Sequence, residues 1–160
     1  MKTTCRSFST FKALAISSAV ILSLHVSVNA NATDASSTIE TRQQNFKEMG
    51  KAMKTINQQL KSGAPDLSVI QQHAGVLADH AQVLPDWFPA GTGQETGLDT
   101  DALAEIWSQA DKFADKAEGF KQSSQALLNT AEKGDIAALM GGLVGVKDSC
   151  SACHKSFRAD

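Results

Sequence analysis

Tyrosine is absent from this sequence of 160 residues, proline occurs three times, and aromatic residues make up only 6%. Few prolines together with many Ala, Lys, Gln and Leu argue against a β-sandwich and for helices. No segment shows the period-two alternation of a half-buried strand. Cysteine is as scarce, with Cys5, Cys150 and Cys153 the full set. Two cysteines three apart near the C-terminal end cannot staple distant segments, which excludes a disulfide scaffold. The length suits one domain. A hydrophobic fraction of 42% is enough for a core, so a wholly disordered chain is excluded.

The first 32 residues lack any acidic side chain but carry Lys2, Arg6 and Lys12, followed by the apolar run Ala13 to Leu24. That run is shorter than the roughly 20 residues a bilayer-spanning helix needs. Val28-Asn29-Ala30 and Ala30-Asn31-Ala32 both fit small-x-small cleavage, so residues 1–32 read as a cleaved secretory signal peptide. The mature chain, residues 33–160, is then expected in the periplasm with no membrane span. It keeps 12 basic against 17 acidic side chains, a net of −5. Such a balance disfavours nucleic acid as a partner, since phosphates need Lys and Arg. It could instead orient a redox partner with a basic patch.

Four segments repeat apolar residues at alternating spacings of three and four, divided near Gly63-Ala64-Pro65, Pro85 to Thr100, and Gly134. The first runs through Ile39, Phe46, Met49, Met53, Ile56 and Leu60. The second takes Leu67, Ile70, Ala74, Leu77, Ala81 and Leu84. The third extends from Leu103 and Ile106 through Phe113 and Phe120 to Ala131. The fourth runs from Ile136 to Cys150, Cys153 and Phe157. One apolar stripe per segment predicts an all-α, antiparallel four-helix bundle. Ser37-Thr38-Ile39-Glu40 has the spacing of a capping box at the first helix start, and Asp66 is the expected N-cap of the second. The long connection from Pro85 to Thr100 is unusual, and Trp87 and Phe88 within it are expected to cap one end of the core. His73 and His80 flank the second stripe, which predicts boundary positions.

The chemistry lies in Cys150-Ser151-Ala152-Cys153-His154, the attachment pattern of a c-type haem. At about 100° per residue, Cys150, Cys153 and His154 share one arc of a helix. Two thiols can form thioethers with the haem vinyl groups, and the adjacent imidazole can reach the iron. Both cysteines fall on the apolar stripe, so one covalently held haem c per chain is expected inside the bundle core. Three rival readings stand beside this one. A zinc site would want four ligands, and only His73 or His80 could join the set. A thioredoxin-type dithiol would want a βαβ context. An inert cysteine pair would leave a haem-free structural bundle. The sixth iron position decides function, because a second strong ligand makes an electron carrier and an open one admits small molecules. Met49 and Met53 can coordinate or simply fill the core; Phe46 cannot coordinate.

These motifs together resemble the class II cytochromes c, and specifically the cytochrome c' family. The resemblance rests on Arg42-Gln43-Gln44-Asn45-Phe46, Pro89-Ala90-Gly91-Thr92, Glu105-Ile106-Trp107 and the terminal stretch Cys150 to Arg158. It implies a five-coordinate, high-spin haem with His154 as axial ligand and Phe46 above the iron. It also implies Arg42 near a haem propionate and Arg158 at the proximal haem edge. Without the resemblance, Arg42 reads as a solvated helix-surface charge. The resemblance further implies reversible binding of nitric oxide and carbon monoxide, a role in nitric oxide protection or electron transfer, and a homodimer through the outward faces of the first two helices. The alternative is a low-spin electron carrier with Met49 as distal ligand. No nucleophile–base pair is legible, so the protein is not expected to be an enzyme.

Overall fold

The structure, a computed structural model, describes residues 30–159, with side chains from Asp34 onward. The signal peptide read from the sequence therefore falls almost wholly outside the described residues. Five helices follow in order: α1 (Ala30–Lys61), α2 (Leu67–Val83), α3 (Glu105–Ser108), α4 (Ala110–Glu132) and α5 (Ile136–Phe157). The four long ones form the expected bundle, each burying its apolar stripe. α2 packs against α1 and α4, and α5 packs extensively against α4 but only sparsely against α1. That thin α1–α5 seam is where the site lies.

Local chemistry sets most helix ends. Asp66 caps α2, accepting from the amides of Ser68 at 2.9 Å and Val69 at 3.4 Å. The Ser68 hydroxyl, then these two amides, hold the Asp66 carboxyl below its ordinary value. Gly134, at φ 70°, ends the α4 turn in the left-handed conformation that glycine adopts without strain. Asp135 then caps α5 by accepting from the Ala138 amide at 3.1 Å.

The capping box is a correction. Helix α1 begins at Ala30, so Ser37 lies in its interior, where its hydroxyl bonds back to the Asp34 carbonyl at 2.9 Å. Ser36 donates to Glu40 at 3.1 Å instead. The third apolar segment is also two helices rather than one. The chain leaves helical geometry at Gln109 (φ −124°, ψ 48°) and restarts as α4. Upstream of α3, the Leu103 amide donates to Phe157 O at 3.1 Å, and the Ala159 amide donates to Asp101 O at 2.8 Å. The loop before α3 is thus stitched to the end of α5.

Helix α5 is long and apolar enough, by length and composition, to cross a membrane. Its inner side is spent on the bundle, however, with Leu139, Leu143, Val146 and Phe157 buried.

Candidate haem-binding site

Between α1, α4 and α5 lies a cavity of about 540 Å³. Arg42, Phe46, Cys150, Cys153, His154 and Arg158 all line it, so the six residues singled out in the sequence meet at one place. Helix α5 brings its two thiols and imidazole to one wall because positions 150, 153 and 154 share a helical arc. Helix α1 supplies the opposing wall with Phe46, Met49 and Met53, each one turn from the next. Leu77, Phe113, Phe120 and Phe157 make the rest largely apolar.

Burial raises the Cys150 thiol and pushes the Cys153 thiol up to about 11; Cys150 adds to the latter effect and Lys116 opposes it. Both sulfurs are free thiols, not joined to each other. Burial first, and then the Arg158 cation, lower the His154 imidazole from its ordinary value. The neutral ring, the form that ligates a metal, is therefore favoured at pH 7.

Phe46 is 36% exposed although it lies on the apolar stripe, because its ring faces the cavity rather than packed side chains. Behind it stand Trp87, edge-on with ring centroids 5.4 Å apart, and Phe88 at 6.2 Å. Met49, one turn along, is buried and also lines the cavity.

Arg42 corrects the reading of a solvated surface charge. It is only 3% exposed. Its Nη1 donates to Trp87 O at 3.3 Å and Thr92 Oγ1 at 3.1 Å. Its Nη2 donates to Thr92 O at 2.9 Å and Thr100 Oγ1 at 2.8 Å. The guanidinium carbon also sits 4.6 Å from the Phe88 ring centroid. Burial lowers its pKa, and Glu95 partly offsets this. Arg42 therefore ties the long loop onto α1 at the edge of the cavity. Gly93 lets the loop lie flat there: a Cβ would fall 2.6 Å from the Trp107 ring. Trp107 is held in turn by its indole N–H, which donates to Phe88 O at 3.0 Å.

Arg158 reaches the mouth of the cavity, and its Nη2 and Nε both lie 3.2 Å from Asp101 Oδ2. Trp87 and Phe88, expected to cap the core, are partly buried against it. His80 occupies a boundary position, with Nε2 3.2 Å from Glu48 Oε2, and neither it nor His73 lines the cavity. The sequence reading missed Lys47 and Lys116, whose side chains add positive charge to opposite walls. Each adjoins a cavity residue, Phe46 and Ala117 respectively, but a single lysine beside an apolar stripe reads as solvated surface. It also missed Thr100 and gave Thr92 no role of its own, since both act through a buried Arg42.

The donor set fits a covalently anchored haem. Two thiols and a neutral imidazole share one wall of an apolar cavity. Its volume lies within the ~300–1,000 Å³ of cofactor and ligand sites, and its lining includes the cationic side chains Arg42, Lys47, Lys116 and Arg158.

Comparison with known proteins gives the family. The cytochrome c' family profile matches residues 37–158. A cytochrome c' of Rhodopseudomonas palustris is 37% identical over 122 residues, covering 76% of this chain and 81% of that protein. One from Rhodospirillum rubrum is 33% identical over 146 residues, covering 89% and 95%. A cytochrome c' variant of Alcaligenes xylosoxidans, solved as its nitric oxide complex, superposes with a TM-score of 0.71 at 28% identity, over 79% of this chain and 96% of that one. With the family profile running from residue 37, inside α1, to residue 158, just past α5, the chain belongs to the cytochrome c' family.

Proposed function

We propose that this protein is an exported, periplasmic monohaem cytochrome whose five-coordinate, high-spin haem reversibly binds nitric oxide and carbon monoxide. The observation that carries this reading is the opposition of Cys150, Cys153 and His154 on α5 to a non-coordinating Phe46 on α1, across one apolar cavity. A haem so held supplies an iron centre that binds small gases and exchanges electrons. Cys150 and Cys153 anchor it, and His154 provides the axial nitrogen. Phe46 shields the opposite face. It offers no hydrogen-bond donor to a polar bound oxygen, which favours the less polar gases. Arg158 lies at the proximal edge. Arg42, with four donors already committed to the loop, keeps only its Nε–H for a propionate. The reading is of a gas-binding and redox protein, with nitric oxide protection as its cellular role, rather than of an enzyme.

One observation favours a second reading. Met49 lines the same cavity one turn beyond Phe46, and its thioether would close the sixth position in a low-spin electron carrier. Absorption spectra of the matured protein separate the two. A broad visible band in the reduced form that shifts on adding carbon monoxide is the expected result. Sharp, split bands that ignore carbon monoxide would overturn gas binding in favour of Met49 ligation.

A further inference from the structure

Phe46 and Phe88 line the cavity, but Trp87, in contact with Phe46, does not. Trp87 is therefore not part of the cavity wall. It stands behind Phe46, with ring planes at 90° and centroids 5.4 Å apart. Trp87 is itself held at two points. Its ring meets the His80 ring at 5.3 Å, and His80 is paired with Glu48 on α1. Its carbonyl accepts from Arg42 at 3.3 Å. Phe46, by contrast, is open on its cavity side and backed only on the other. A ring packed on one side takes its rotamer from that side.

We infer that Trp87 is a positioning residue, which holds the Phe46 ring over the cavity and so restricts the entry of diatomic gases. This rests on the reading of Phe46 as the shield of the site. The edge-on contact fixes the Phe46 ring against swinging toward the loop, while Arg42 and His80 keep Trp87 from retreating. Removing the indole opens space behind Phe46 into which its ring can turn.

The test is carbon monoxide association with the ferrous, haem-loaded protein after flash photolysis, read across a double-mutant cycle. Phe46→Ala speeds association. Trp87→Ala also speeds it, by about two- to ten-fold if the aromatic contact sets the position of the ring. Trp87→Phe, which can still present an edge, restores a rate near that of the unaltered protein. In the Phe46→Ala background, Trp87→Ala adds nothing. Nuclear Overhauser contacts between the two rings in the diamagnetic carbon monoxide complex give a readout independent of rate, and their absence would refute the contact. If Trp87→Ala does not fold, Trp87→Leu fills the space without a ring edge and takes its place. Acceleration by Phe46→Ala without any by Trp87→Ala, or effects that multiply in the double variant, overturns the inference and leaves the shield intact. No change with Phe46→Ala overturns the shield and the inference together.

Discussion

Replacing Arg42 by Met keeps the length and apolar stem of the side chain and deletes all five of its donors. Four hydrogen bonds to the loop disappear, together with the contact over Phe88. Two of the four acceptors remain satisfied. Thr92 Oγ1 still donates to Pro89 O at 2.8 Å, and Thr100 Oγ1 still accepts from the Ala102 amide at 3.2 Å. The Trp87 and Thr92 carbonyls lose the Arg42 donors, and each such loss costs ~1–3 kcal/mol where the carbonyl stays dry. Losing the cation over the Phe88 ring adds ~0.5–1 kcal/mol. Against this, the variant no longer buries a cation, and the lowered pKa of Arg42 shows that this burial is opposed by desolvation. The balance is a destabilisation of about 3 kcal/mol. Urea unfolding at pH 7 should show a lower midpoint with an unchanged slope, since the core is untouched. Hydrogen exchange should speed most in residues 87–100, the segment that Arg42 fastens. Arg42→Lys, able to reach only some of the acceptors, should fall between. A midpoint shift worth less than ~0.5 kcal/mol, the size of an ordinary surface substitution, would refute the clamp.

Ser124 is fully buried in α4, and its hydroxyl has no partner among the described residues. Ser124→Ala should therefore raise stability by about 1 kcal/mol in thermal unfolding, through relief of an unpaired hydroxyl and better helix propensity, and a loss would contradict this. Asp66→Ala should lower stability at pH 7 by removing the α2 cap. Because the folded protein holds the Asp66 carboxyl below its ordinary 3.8, that stabilisation is complete above this value and is lost as pH falls through the lowered one. The gap between variant and parent in pH-dependent unfolding should accordingly narrow in acid, and a gap that widens would show the sign to be wrong. Phe46→Ala should speed carbon monoxide binding in stopped flow, and an unchanged rate would remove its shielding role.

The bundle was legible because each long helix repeats its apolar residues with helical period, and the wall of thiols and imidazole because those residues follow one another on a single turn and a half. Arg42 was read bottom-up as surface, yet its position carried a signal. Ile39, Arg42, Phe46 and Met49 are spaced three, four and three, which places the guanidinium on the buried stripe. A charged residue at such a position is either an error of phase or a buried group with partners, and the partners lie 45 to 58 residues away in the loop. The break at Gln109 had no local signal, since apolar spacing runs on through it. Nor does any window of sequence display the pairing of Asp101 and Leu103 with residues 157–159. The Ser37 capping box misled for the opposite reason: a local motif has no force once the preceding residues are already helical.

The cavity walls come from the first and last described helices, so Phe46 and Cys150 face each other across a separation of 104 residues. Forming that seam requires the largest loop closure in the fold, and α1 and α5 gain the least packing of any adjacent pair of long helices in return. The α2–α4 and α4–α5 contacts can assemble beforehand at smaller entropic cost. Seen as kinetics, the seam is the part of the bundle that closes late and opens first. A group bonded to α5 and packed against α1 would act as its latch, slowing unfolding far more than it speeds folding.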